Sequence, residues 1–373
     1  MFANTGARLR RKKRKDLKMR NIQKAAAAAL IILLGIMGGC SKSSSAFSPS
    51  EESQSPVLMY INGFEVRSDE LRYWISSYAA SAGYEVGPGT DWNADAGGMP
   101  LSEYTLTEAV KAVSLYKTVE SKSAELGIAL TEDELSEISS ARAKYVDYFK
   151  GEEAYLAYLE SVFLTEELNN SMMKTSALYS KLIESVYGTD GSKCTDEEAV
   201  AFGTENNYFR AKHILLSNKL DDGTPLSDEE KAELYARMEQ MLIELDSSDD
   251  PVTLFDELMH ENSEDPGLAT NPDGYQFVKG EVMPEFQAAV ESLDNYSYSG
   301  IVEMDAYGYS IIMRLPLDPD AVSMSDNYGY SLRYTAAMSN FDNMLTSWTD
   351  EAEIKYTDMW DGLDIAKLFA DAA

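Results

Sequence analysis

Two histidines and two cysteines are the scarcest reactive side chains in this 373-residue chain, and their neighbours limit what each can do. His213 sits inside an apolar run, Ala211-Lys212-His213-Ile214-Leu215-Leu216. Taken alone, it is either a satisfied structural residue or the polar floor of a site. His260 falls on a polar helix face and reads as solvated, and Cys194, beside Thr195, reads as a bystander thiol. Two cysteines are too few for a disulfide scaffold, and with two histidines they exclude a zinc finger or ribbon. Asp265, before Pro266, is by itself an ordinary turn residue. Phe286 is either core or the wall of a pocket. Acidic side chains outnumber basic ones 63 to 32, for a net charge of −31. That surplus reads as a solvated surface, since no acidic stretch has calcium-loop spacing. It also disfavours nucleic acid, whose phosphates need basic partners.

The elements that must position these residues begin after an unusual head. Residues 1–39 hold ten Lys/Arg and one acid, Asp16, leaving 22 basic and 62 acidic side chains from residue 40 onward. A basic stretch, an apolar run Ala25–Met37 and then Gly38-Gly39-Cys40 form the pattern of a secretory signal. The apolar run falls short of the ~20 residues of a spanning helix. The small residues before Cys40 resemble a bacterial lipobox, which implies lipidation of that cysteine; Met37 stands where leucine is commoner. Residues 40–55 are serine-rich and read as a flexible tether.

Asn62-Gly63 between two short apolar runs predicts a β-hairpin, and Ser68 is placed to cap a helix over Asp69–Ala80. Residues 84–104, rich in Gly, Pro, Asn and Asp, predict a loop. Leu106, Ala109, Val110, Val113 and Tyr116 recur at helical spacing, with Gly127 closing that helix. Thr131 and Thr195, each with Glu three residues on, predict capping boxes. Between them Leu156, Leu159, Phe163, Leu168 and Met172 are core candidates, the other reading being an exposed client-binding groove. From Tyr208 the pattern becomes a strand (Phe209–Ser217), helices over Ser227–Leu245, Val252–Glu261 and Pro284–Leu293, and strands Ile301–Met304 and Tyr309–Leu315. A helix over Leu332–Trp348 and an aromatic-rich segment Ile354–Phe369 follow.

Within that middle stretch, Ala211-Lys212-His213-Ile214-Leu215-Leu216, Phe255-Asp256-Glu257-Leu258, Ser263-Glu264-Asp265-Pro266, Phe277, Gly280, Val282-Met283-Pro284-Glu285-Phe286 and Gly308-Tyr309-Ser310-Ile311-Ile312 stand in order. This series resembles the parvulin-type peptidylprolyl isomerases over residues 206–318. More loosely, the flanking segments resemble the helical parts of PrsA and SurA foldases, in which N- and C-terminal segments build one domain around an inserted parvulin module. The resemblance implies an α+β chain: signal peptide 1–39, tether 40–55, helical chaperone segment 56–205, parvulin-like domain 206–318, and a C-terminal helical segment 319–373 packing with the N-terminal one.

Position by position, His213 matches the strand histidine at the floor of the parvulin site. Asp265 falls where the family has cysteine or aspartate. Val282 and Phe286 match the methionine and phenylalanine that wall the proline pocket, with Met283 and Phe277 beside them. Gly274 falls where a leucine is usual and Asp305 where a threonine is common. Two departures stand out: Ser310 replaces the second family histidine, and Asn271-Pro272 replaces a glycine pair.

Rotation about an X–Pro bond faces a barrier near ~20 kcal/mol, because resonance gives the bond double-bond character. A dry pocket for the ring, with polar groups favouring the twisted amide, lowers it without nucleophile, metal or cofactor. The implied partners are unfolded or partly folded secreted polypeptides and, through Cys40, the membrane; a homodimer is left open. The expected activity is that of a lipid-anchored extracytoplasmic foldase. The alternative, motivated by Ser310, is a non-enzymatic holdase with a degenerate module. A small-molecule-binding lipoprotein would need two α/β lobes, which this pattern lacks.

Overall fold

The computed structural model describes residues 55–370 apart from 221 and 325. The signal segment, Cys40 and all of the tether but Ser55 lie outside the described residues. No described helix is long and apolar enough to cross a membrane. The chain divides into two compact units, residues 186–341 and the segments on either side.

The first unit opens with β1 (Val57–Ile61) and β2 (Phe64–Arg67), antiparallel. Asn62 and Gly63 turn the hairpin with φ of 50° and 85°, the doubly positive turn that matches strand twist. The far edge of β1 pairs with β7 (Ile354–Tyr356), so the sheet order is β2-β1-β7. The sequence does not announce β7: three residues carry no period, and the pairing joins positions some 300 apart. Asn62 fixes it, donating its N–H to Glu353 O and accepting Glu353 N–H, both at 2.9 Å.

Helices α1 (Ser68–Ser81), α2 (Leu101–Glu125), α3 (Glu132–Tyr148), α4 (Glu152–Ser161) and α5 (Glu166–Tyr187) follow. Ser68 does not cap α1. Arg67 holds the cap position without a side-chain bond, and the Ser68 N–H donates to Pro56 O at 2.9 Å, tying the helix start to the hairpin. Helix α2 begins inside the expected loop, because Leu101 is fully buried and Pro100 precedes its first turn. Ala109, Val113 and Tyr116 are buried as the spacing predicts, and both capping boxes form. Leu156 is exposed, since α4 turns Tyr155 and Leu159 inward instead. Phe369 is wholly buried, its ring 5.2 Å from Trp92 and 5.0 Å from Phe163.

In the second unit α6 (Asp196–Glu205) leads to an antiparallel sheet of order β4-β3-β6-β5. Its strands are β3 (Tyr208–Ser217), β4 (Tyr275–Val278), β5 (Val302–Met304) and β6 (Gly308–Leu315). Helices α7 (Asp228–Asp246), α8 (Pro251–Asn262) and α9 (Pro284–Ser292) surround it, and α10 (Leu332–Asp350) follows. The fold class is mixed α+β with a small antiparallel sheet. Strand β4 is an addition to the sequence reading, too short for its alternation to register. It exists because Gly274, at φ +92°, lets the chain turn against β3; a Cβ there would lie 2.6 Å from Ala211 O.

Alternation along β3 splits the sheet into two faces. Ile214 and Leu216, with Ile311, Met313 and Leu315 of β6, pack under Met238, Leu245 and Phe255 of α7 and α8. Ala211 and Leu215, with Ile312, Phe277 and Met304, pack against Phe286 and Val290 of α9. His213 is aligned with Ile312 in the β3–β6 register, on the α9 side.

Candidate functional site

Strand β4 reaches only residues 208–211 of β3, so beyond Ala211 that edge needs another cover. The segment after α8 supplies it. Glu264 N–H donates to Leu215 O at 2.7 Å, Ser263 Oγ accepts Leu215 N–H at 3.1 Å, and Glu264 Oε2 accepts Ser217 N–H at 2.7 Å. Anchored this way, the next residue, Asp265, comes beside His213: its Oδ2 lies 3.2 Å from His213 Nε2. Both side chains are 13% exposed. Among the described residues neither ring nitrogen of His213 makes an aligned hydrogen bond, and both are shut off from solvent, so the imidazole meets Asp265 by proximity alone.

Asp265 is better held on its other sides. Tyr275 donates its hydroxyl to Oδ2 at 2.6 Å, and Gly267 donates its N–H to Oδ1 at 3.0 Å. Burial by itself raises the Asp265 carboxyl, but His213, Tyr275 and the Gly267 N–H more than reverse this and hold it down at about 2. The same arrangement, led by burial and reinforced by the adjacent carboxylate, pushes the Tyr275 phenol far up. Gly267 has little freedom to change, since a Cβ there would lie 2.0 Å from the Tyr275 hydroxyl.

Aromatic rings close the group. Phe286 stands edge-on to His213, with centroids 5.3 Å apart and planes at 81°, and 6.0 Å from Phe277. Phe277 is fully buried beneath it, and Phe286 itself is 6% exposed. Pro284 at the first position of α9 starts that helix and so aims Phe286 at the sheet. Val282 and Met283, half-buried, pack on the same cluster.

His213, Asp265, Phe277, Val282, Met283 and Phe286 are therefore brought together. Ser310 belongs to the same face, opposite Leu215 and Val302 in the register. It is completely buried, and its hydroxyl has no hydrogen-bond partner among the described residues. Gly274 sits in the turn before β4 and serves the close approach to β3 rather than offering a side chain. Asp305 lies apart in the exposed β5–β6 turn, where its carbonyl accepts from Asn218 Nδ2 at 3.1 Å. Tyr275 is the residue the sequence reading missed. The only available signal was a hydroxyl-bearing ring two residues before Phe277, on the same strand face.

Chemically, this is a buried aromatic cluster, rimmed by half-buried Val282 and Met283, with one imidazole and one firmly ionised carboxylate beside it. Among the described residues no three His, Cys, Asp or Glu side chains gather as a metal site.

Residues 213–315 match the family model for the PPIC-type PPIase domain, or rotamase. Among solved structures the chain is similar to the peptidylprolyl isomerase PrsA of Bacillus anthracis, with 19% identity over 64% of this chain and 94% of that one, at a TM-score of 0.24. It is also similar to PrsA of Bacillus cereus, with 16% identity over 76% and 99% and a TM-score of 0.29. A third is a SurA-like chaperone of Campylobacter jejuni, with 13% identity over 81% and 99% and a TM-score of 0.27. No curated protein matches. The middle of the chain thus carries a parvulin-type domain.

Proposed function

We propose that this chain is an extracytoplasmic foldase, held to the membrane by a lipid on Cys40, whose parvulin-type domain isomerises X–Pro bonds in secreted polypeptides. The observation that carries the proposal is the edge-on pair of His213 and Phe286, backed by Phe277 and bordered by Asp265. A prolyl ring laid on that surface leaves water. As its amide twists, the lost conjugation turns the nitrogen pyramidal and returns its lone pair from the carbonyl oxygen to the nitrogen, where a nearby polar group can meet it. Polar groups fixed beforehand at the pocket edge favour that state over the planar one.

In this mechanism Val282, Met283 and Phe286 exclude water, and Phe277 keeps the Phe286 ring upright. Asp265, kept ionised by Tyr275 and Gly267, sets a fixed negative charge beside the His213 ring. No proton needs to move. His213 acts as a fixed dipole beside the twisting amide, in keeping with a reaction that breaks no covalent bond. The test is proline-peptide exchange followed by NMR. Cis-to-trans rates that rise with added protein support the proposal, and rates left at the uncatalysed value overturn it.

A second reading is favoured by one observation. Ser310, where the resemblance calls for a second histidine, is sealed in the sheet and contributes no group to the surface. On that reading the module binds clients without turnover, and purified protein suppresses client aggregation while leaving prolyl exchange unchanged.

A further inference from the structure

Beyond α9 and β6, the chain forms a second concave site that the isomerase reading does not use. A cavity of about 190 Å³ is lined by Tyr208, Ser323, Asp326, Tyr328, Tyr330 and Leu332, among others. Tyr208 lies five residues before His213 on β3, and so on the other face of the sheet. Leu332 is buried and forms an apolar base. Three tyrosines stack in series: Tyr328 on Tyr330 at 5.7 Å and 23°, and Tyr330 on Tyr334 at 4.5 Å and 28°. Tyr328 ends the stack and is 81% exposed, so its outer ring face is open to solvent.

Two carboxylates border these rings. Asp326 lines the cavity and accepts the N–H groups of Tyr328, Gly329 and Tyr330, all through Oδ1. Those bonds set the loop that carries the stack and leave Oδ2 without a hydrogen-bond partner among the described residues. Glu281 reaches the rim, its Oε2 3.4 Å from Ser323 Oγ. Burial, then Glu281 and then Asp326, each oppose ionisation of Tyr208, so both carboxylates act on the cavity. None of its lining residues is basic.

Tyrosine faces attract cations through the ring quadrupole, and a planar guanidinium stacks on them while pairing with carboxylate. The geometry points to a subsite for an arginine side chain of a bound polypeptide, its guanidinium stacked on Tyr328 and paired with Asp326 and Glu281. Only the source of the arginine rests on the reading of this protein as a polypeptide binder; the cavity is independent of prolyl turnover. Such a subsite would hold the basic positions of a client.

The test uses fluorescence anisotropy with the full chain and a labelled, proline-free Gly/Ser heptapeptide carrying one central arginine. Without proline, failure here is distinct from failure of the isomerase reading. Binding should saturate, weaken at high salt, and fall roughly fivefold in Tyr328→Ala, while Tyr328→Phe keeps it. Glu281 Oε2 also accepts the Val278 N–H at 2.8 Å, a bond that Glu281→Gln can keep, and that variant should lower binding severalfold. No saturable binding, equal binding of a citrulline peptide, or affinity unchanged by Tyr328→Ala would each overturn the proposal. Free arginine binding as tightly as the peptide would overturn the polypeptide source.

Discussion

Two carboxylates, the buried Glu70 and the half-buried Asp265, one in each unit, are treated in opposite ways. Glu70 of α1 has one ammonium partner, Lys117 at 3.3 Å, which also serves Glu120 at 3.5 Å. Burial pushes the Glu70 carboxyl up to about 7, only partly countered by Lys117. Asp265, in contrast, has a phenol hydroxyl, a backbone N–H and an imidazole around it, and is held at about 2. Donors fixed by short covalent connections stabilise a carboxylate more than a shared cation on a flexible stem. The helical unit thus keeps an acid close to its neutral form, whereas the parvulin-type domain keeps one charged.

Breaking the first arrangement has the largest expected effect. Lys117→Met leaves Glu70 and Glu120 without their cation and should cost the helical unit about 3 kcal/mol above pH 7. Below that pH the cost should shrink, because Glu70 can take up a proton; denaturant unfolding at pH 8 and pH 6 reads the difference. Asp265→Ala strands the Tyr275 hydroxyl, the Gly267 N–H and the His213 ring, and should cost about 2 kcal/mol in the same measurement. Tyr275→Phe removes a single donor and should cost about 1 kcal/mol. It should also raise the pH at which Asp265 protonates, seen by carboxyl NMR titration.

The pH dependence sharpens the contrast without any substitution. Asp265 has a native pKa below its ordinary 3.8, so its stabilising contribution is complete above that value and is lost as pH falls toward 2. Glu70 has a native pKa above its ordinary 4.5, so the unfolded chain loses that proton first. Stability of its unit therefore falls as pH rises from 4.5 toward 7. Amide exchange resolved by segment should show the two units responding in opposite directions.

Features written in adjacent residues were legible in the sequence. The Asn62-Gly63 turn, the Thr131 and Thr195 boxes and the α9 start at Pro284 each rest on a few neighbouring side chains. Features made by distant pairing were not. Strands β4 and β7 are short and take their place from partners far along the chain. The Glu70–Lys117 pair joins two helices whose periodicity says nothing of charge at buried positions. At the site, the motif order located His213, Asp265 and Phe286 together, while Tyr275 stayed hidden because its function is a hydrogen bond across ten residues. Ser68 misled for a related reason: its capping chemistry was sound, but the hairpin already supplied an acceptor for its N–H.

The central claim concerns the ring surface beside His213, and Phe286→Ala tests it most directly. Because that ring is 6% exposed, truncation also costs about 3 kcal/mol, so prolyl exchange should be measured in the cold, where circular dichroism confirms that the variant is folded. The account predicts that the unaltered protein accelerates exchange and that the folded variant loses about tenfold of that acceleration. A folded Phe286→Ala protein that turns over proline peptides as fast as the original would contradict it.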